Sequence, residues 1–287
     1  MNPVNLFFAC DNAYVPFLAV TLTSLKENCN PKRDYALRIL HTGLDPENIR
    51  RLTEGFASEG FTMEFIDITQ AVEQFADKLH TRDYYSKSTY YRLFIPNLFP
   101  QLDKALYLDS DVVLLGDVSE LYDVDLEDNL VGAIPDSVVG SIPALALYTK
   151  KRLRVAADHY FNAGVLLMNL DAMRKCDFLN VFLRLLQSVT FQIAQDQDYL
   201  NVICKNRVEY VGFEWNTMPC DVHTSAPKLI HYNLDFKPWH RDDVTYGDVF
   251  WDYAERSGYL EEIREVREGY TEWHIARSAE ETTHLIA

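Results

Sequence analysis

"ALYLDSDVVLL", residues 105–115, sets two carboxylates, Asp109 and Asp111, between apolar runs that otherwise read as buried strand. An ionised carboxylate taken out of water without a partner costs several kcal/mol, and two like charges in one site oppose each other's ionisation. Two arrangements make the placement tolerable. One is a turn at the surface, because Asp and Ser side chains bond their own backbone in turns. The other is a cation. In an extended chain residues i and i+2 share a face, with Cα atoms roughly 7 Å apart, so both carboxylates can converge while Ser110 points away. Against the turn, "VVLL" resumes at once with no Gly or Pro. Carboxylate oxygens suit hard ions such as Mg²⁺ or Mn²⁺, in sites left partly open for phosphate oxygens.

On either side of this stretch, strand-like runs alternate with helical patterns. "VNLFFA" (4–9), "YALRILHT" (35–42), "FTMEFIDI" (61–68), "NLVGAI" (129–134), "YFNAGVLLMNL" (160–170), "RVEYV" (207–211) and "KLIHYN" (228–233) read as strands. "VPFLAVTLTSLKEN" (15–28), "KSTYYRLFIPNLFP" (87–100) and "FLNVFLRLLQSV" (178–189) read as helices. "DPENIRRLTEGFASEG" (45–60) adds one with Asp45 as N-cap, Pro46 at the first position and Gly60 as its stop. The alternation predicts an α/β fold with a mostly parallel sheet. No repeat or Pro/Gly/Ser linker divides it, so we expect one domain over residues 1–240 and a C-terminal helical extension over 241–287. Ligands of such sheets sit at the carboxyl ends of the strands. Asp11, Asp109 and Asp136 each follow an apolar strand and should converge there.

Composition narrows the partners. With 27 bases against 43 acids the net charge is −16, which argues against nucleic acid and anionic membrane as partners bound through bulk charge. Five cysteines, odd in number and without CxxC spacing, point to free thiols and a reducing compartment. The first residues carry no basic segment ahead of an apolar run, and no stretch is long enough to span a bilayer, so a cytoplasmic location is expected. None of the 11 glycines forms a GxG. The dinucleotide fingerprint, the P-loop, HExxH and GxSxG are all absent. Phosphate on a ligand would therefore be neutralised by a cation and basic side chains.

"HYNLDFKPWH", residues 231–240, is the second cluster of interest. His231 ends an apolar run, where an imidazole can complete a metal site or be a hydrogen-bonded core histidine. Lys237 is either a point charge for phosphate oxygens or a solvated surface charge.

Taken in order, "FFACDNAY", "YLDSDVVLL", "YFNAGVLLMNL", "QDQDYLN" and "HYNLDFKPWH" resemble glycosyltransferase family 8, over most of the chain to about residue 242. The resemblance implies a single GT-A, Rossmann-like, nucleotide-sugar-binding domain and a retaining enzyme that uses a UDP-sugar and Mn²⁺, with Mg²⁺ as the alternative ion. It implies Asp109 and Asp111 as the DxD metal pair with His231 as third ligand, and Asp11 and Tyr14 as the residues that hold uracil. Arg92, Asp136, Asn162, Asp196 and Gln197 would line the donor sugar. Ser110 would lie with the donor, and Lys237 would meet its diphosphate. Asp196, Gln197, Asp136 and Lys237 are the candidate catalytic set. Two positions depart from the family pattern. Leu234 stands where a glycine is usual, and Ala13 where some members carry Asn.

The reading is a UDP-glucose- or UDP-galactose-dependent hexosyltransferase forming an α linkage. Its rivals are a UDP-sugar hydrolase and a non-catalytic nucleotide-sugar-binding subunit. Residues 259–287, "YLEEIREVREGYTEWHIARSAEETTHLIA", carry acids that more than offset their bases. Stable attachment to an anionic surface takes several net basic residues. No strong membrane anchor is therefore expected, and the expected acceptor is a soluble saccharide or a glycoprotein glycan. Tyr270 and Trp273 are the aromatic exceptions in that stretch.

Overall fold

The computed structural model describes residues 2–73, 75, 79, 87–191, 193–220 and 226–270. Strand β1 (Val4–Ala9) is buried at every position, which is why its sequence is apolar without alternation. Successive side chains still point to opposite faces. Val4, Leu6 and Phe8 join one core cluster with the helix Val15–Asn28, while Phe7 and Ala9 join a second with Tyr107 and Phe182. Strands β2 (Tyr35–His41) and β3 (Phe61–Asp67) extend the sheet in parallel from β1. β4 (Lys104–Leu108) lies parallel on its other side. β5 (Val112–Leu114), β6 (Val131–Pro135), β7 (Phe161–Asn169), β8 (Val208–Tyr210) and β9 (Leu229–His231) complete the strands.

The seven-stranded sheet has the order β3-β2-β1-β4-β7-β6-β8, and β5 pairs with β9 in a separate two-stranded sheet. β7 runs antiparallel to both of its neighbours, and the β6–β8 pair is parallel again. From β1 the chain builds outward to β3, then returns to β1's other edge to place β4. That reversal opens a crevice at the carboxyl ends of β1 and β4, where open α/β sheets hold their ligands.

The helices Gly247–Arg256 and Leu260–Gly269 pack on the helix Val15–Asn28. Phe250, Tyr253 and Ile263 share its core, and Asn28 Nδ2 donates to Tyr253 Oη at 2.8 Å. Trp239 stacks on Phe17 at 4.0 Å. No helix among the described residues is long and apolar enough to cross a membrane. The end of the chain on which the acceptor expectation rests, from residue 271 and including Trp273, lies outside the described residues.

Three local expectations are corrected. The helix after Asp45 is Pro46–Phe56; the Asp45 side chain makes no cap bond, and the helix stops four residues before Gly60. Gly60, at φ +80, instead turns the chain into β3. Residues 87–100 are a 3₁₀ stretch, Lys87–Phe94, followed by one α-turn, Ile95–Leu98. The Thr89 and Arg92 side chains then stand on one face, three residues apart, in a threefold rather than a 3.6-fold repeat. Finally, "LYLDSDVVL" is two strands, interrupted at the acids.

Candidate active site

That interruption places the acids. β4 ends at Leu108 in the large sheet and β5 begins at Val112 in the small one, so Asp109, Ser110 and Asp111 bridge the two. The bridge is pinned on both sides: Asp109 N donates to Gly164 O at 2.8 Å and Tyr232 N to Asp111 O at 3.0 Å. The buried Ser110 hydroxyl donates to Ala9 O at 2.9 Å. It points away from the two carboxylates, as the i, i+2 geometry requires.

His231 ends β9, opposite Val112 in register. Its Nε2 lies 3.4 Å from Asp111 Oδ1 and 3.7 Å from Asp109 Oδ2. Ligand atoms of the three residues all fall within 4.8 Å of one another. On the far side of the ring, Nδ1 and Asn216 Oδ1 are 2.9 Å apart. Asn216 Nδ2 donates to Asn162 Oδ1 at 3.0 Å, so its amide oxygen faces the ring and Nδ1 carries the proton. The Nε2 lone pair is then turned toward the carboxylates, the arrangement a metal-ligating histidine takes. Asp111 Oδ1 is buried without a hydrogen-bond partner. A Cβ at Gly164 would stand 2.3 Å from His231 Cε1 and 2.6 Å from Asp109 Oδ2, so only glycine leaves this hollow open. An orphaned carboxylate oxygen, an oriented imidazole and a hollow no other residue permits together fit a hard cation.

Lys237 is buried beside them, its Nζ 2.5 Å from Asp111 Oδ2 and donating to Tyr232 O at 2.9 Å. Burial pushes the Asp111 carboxyl up, but the Lys237 ammonium more than reverses this and holds it well below the usual carboxylate range. Burial likewise opposes the Lys237 ammonium, and Asp111 raises it above its ordinary value. Tyr14 packs edge-on to Phe17 at 5.3 Å, with Lys237 Nζ 5.8 Å from its ring. Burial takes its phenol to about 12.

Arg92 comes from the 3₁₀ stretch and is buried over the Tyr107 ring at 4.3 Å. Its Nη2 lies 3.0 Å from Asp109 Oδ1, its Nη1 donates to Ala163 O, and its Nε donates to Thr89 O at 2.8 Å. Asp196 Oδ2 is 3.0 Å from the same Nε without a directed hydrogen bond. Burial raises the Asp196 carboxyl to about 6 against the pull of Arg92.

Asp136 follows β6, where its Oδ1 accepts from Val139 N at 3.0 Å and caps the short helix Ser137–Ser141. Its Oδ2 accepts from Gln197 Nε2 at 3.1 Å and Asn162 Nδ2 at 3.3 Å. Gln197 Oε1 accepts from Ala163 N at 2.9 Å. A continuous network thus runs from Asp136 through Asn162 and Asn216 to His231.

These groups line one pocket of about 520 Å³, which gathers Tyr14, Arg92, Asp109, Ser110, Asp111, Asp136, Asn162, Asp196, Gln197, His231 and Lys237. Asp11 is not among its lining residues; it accepts from Tyr14 N at 3.1 Å and caps the turn Asn12–Tyr14 at the rim. Leu234 lines the pocket with φ +51, left-handed backbone that a glycine takes freely and a leucine at roughly 1–2 kcal/mol. Residue-level reading missed Gly164 and Asn216. Gly164 stood inside a quoted motif, while a lone Asn in "EWNTMP" carries no signal of its own.

The comparisons agree with this geometry. Residues 5–243 match the family model described as glycosyl transferase family 8. A lipopolysaccharide 1,3-galactosyltransferase of Salmonella typhimurium is 25% identical over 257 residues, covering 82% of this chain and 73% of that protein. Among solved structures, the bifunctional glycosyltransferase WbbM superposes with a TM-score of 0.80 at 26% identity, over 92% of this chain but only 51% of WbbM. The galactosyltransferase LgtC, solved with donor and acceptor sugar analogues, gives 0.76 at 29% identity, over 88% and 96% of the two chains. Fold, pocket and a family match across more than four-fifths of the length lead to one conclusion: this chain belongs to glycosyltransferase family 8.

Proposed function

We propose that the protein moves a hexose, glucose or galactose, from UDP to a hydroxyl of a saccharide acceptor, with retention and an α linkage, in the presence of Mn²⁺ or Mg²⁺. One observation carries the reading: Asp109, Asp111 and the oriented His231 converge at one pocket, beside the buried Lys237, in a chain with no glycine cradle for phosphate. Those three residues would hold the cation, which when bound supplies charge neutralisation for the diphosphate leaving group. Lys237, as a point charge, would meet a diphosphate oxygen. Asp11 and Tyr14 would hold the uracil at the rim, one as hydrogen-bond acceptor and one as stacking ring. Arg92, Asn162 and Asp136 would frame the hexose, with Ser110 behind it fixing the backbone of the acidic pair.

Glycosyl transfer passes through an oxocarbenium-like state, so a nearby carboxylate lowers the barrier by its charge. Asp196 suits that role: it is buried, basic for an aspartate and held by Arg92. Gln197 is fixed at both ends of its amide. It would position the sugar rather than attack it, an amide being a weak nucleophile.

The test follows UDP release from UDP-glucose and UDP-galactose with Mn²⁺, with and without saccharide acceptors. Acceptor-dependent release is expected. Release independent of acceptor would identify a hydrolase, and binding without release a nucleotide-sugar-binding subunit.

A further inference from the structure

The segment Ser137–Tyr160 runs against the charge of the molecule. In a chain of net charge −16 it holds Lys150, Lys151, Arg152 and Arg154 against one acid, Asp158. All four bases are exposed, and none forms an ion pair among the described residues. Arg154, at φ +60, ends the helical stretch that begins at Pro143, and the exposed Lys205 donates its Nζ to the Arg154 carbonyl. A fifth base is thus brought to the same place.

Apolar side chains share this face. Of the four large hydrophobic side chains exposed among the described residues, three are here: Ile142 at 40%, Leu147 at 50% and Tyr210 at 38%. Tyr210 stacks on His159 at 5.5 Å and donates to its carbonyl at 2.7 Å, which ties it to the segment. Leu147 and the pair Lys150 and Lys151 sit on either side of the junction between the α-turn Pro143–Tyr148 and the π-turn Thr149–Leu153. The inner side of the segment lines the pocket of the acidic triad with Val138, Val139 and Leu145, and the exposed Ile142 stands at its rim. Such an aliphatic wall offers sugar hydroxyls no hydrogen bond and no flat ring to stack on.

We propose that this face docks reversibly on an anionic lipid bilayer, turning the mouth of the pocket toward the headgroups. Bases interleaved with exposed apolar side chains match a surface that is anionic outside and apolar just beneath. A dissolved polyanion would satisfy the charges and leave Ile142, Leu147 and Tyr210 in water. The rest of the molecule is acidic and is repelled by the same surface. The attraction fades within about 8 Å at physiological salt, so only this face can settle on it. That the acceptor is itself lipid-linked rests further on the transferase reading above. The expectation of a soluble acceptor came from residues 259–287 and left this segment unread.

Co-sedimentation of the full chain at physiological salt tests it, with phosphatidylcholine vesicles against vesicles of equal parts phosphatidylcholine and phosphatidylglycerol. Each basic residue near such a surface is worth about fivefold in partitioning. We expect pelleting with the anionic vesicles alone, and a drop of at least tenfold in the variant Lys150→Gln/Lys151→Gln/Arg152→Gln/Arg154→Gln. Leu147→Gln should weaken pelleting further, with the thermal melt unchanged in both variants because these side chains are exposed. Absence of pelleting in the unaltered protein would overturn the proposal. So would undiminished pelleting of the quadruple variant, which would move the contact to the chain's end, or full displacement by soluble heparin in the Leu147→Gln and unaltered proteins alike. None of these readouts needs transfer activity, so failure here leaves the transferase reading standing, and failure of that reading leaves this one testable.

Discussion

At the residue scale, Asp111 holds the site together. It is ionised because Lys237 outweighs its burial, and one of its oxygens is left without a donor. Removing its charge, or that of Asp109, should remove the cation's reason to bind. Asp109→Asn and Asp111→Asn are each expected to abolish the Mn²⁺-dependent rise in Tm that UDP gives the unaltered protein; a full rise in both variants would exclude the pair as the cation site. The acids stood out in the chain because charged groups between apolar runs are costly unless something holds them, whereas the residues alone left His231 open as a core histidine and Lys237 as a surface charge, and their roles came from the family resemblance. Gly164 and Asn216 were not legible. A glycine's necessity here is set by His231, 67 positions away, and the orienting role of Asn216 depends on how a ring 15 positions on is turned.

At the scale of the element, the helix Gln195–Ile203 packs four polar residues into its first turn and gives three of them different tasks. Asp198 is fully buried, accepting from the hydroxyls of Tyr148 and Tyr160 at 2.7 Å each. Gln197 braces Asp136 and Ala163, and Asp196 faces Arg92. The carboxyl of Asp196 titrates near 6 in the fold and near 3.8 unfolded. A raised folded value means the native state binds the extra proton, so its contribution is present below pH 3.8 and is lost as pH rises through 6. Relative to Asp196→Asn in a chelator-containing buffer, the unaltered protein should lose on the order of 2–3 kcal/mol between those limits. Parallel stability curves for the two proteins from pH 4 to pH 7 would show that burial is not what governs this group. Periodicity marked the helix Val15–Asn28 to the residue. It failed at Lys87–Phe94, because apolar spacings of three and four fit a 3₁₀ and an α-helix almost equally over so short a run.

At the scale of the whole molecule, alternation of element types was enough for the class of fold, since sequence period distinguishes strand from helix before any contact is known. It was silent on the antiparallel turn of β7, which depends on how the 25-residue stretch of short helices after β6, residues 136–160, returns the chain. Ligand preference also belongs to this scale, because the residues proposed to hold a base, Asp11 and Tyr14, and those proposed to meet a diphosphate, Asp109, Asp111, His231 and Lys237, lie far apart in the chain. Tyr14 and Asp11 offer a single ring and a single acceptor, suited to a pyrimidine. Calorimetry with UDP, GDP, ADP and NAD in the presence of Mn²⁺ should rank UDP first by at least tenfold, about 1.4 kcal/mol. A purine nucleotide of equal affinity would refute the assignment.

The pairing of β5 with β9 has a consequence for the order in which the protein is made. Among the described residues Val112–Leu114 pairs with Leu229–His231 alone, so during synthesis more than a hundred residues follow the acidic pair before its imidazole is made. Contacts of such long sequence separation close late, after local structure has formed. The grouping of Asp109 and Asp111 with His231 is therefore completed in one of the last joining events, when Leu229–His231 pairs with Val112–Leu114.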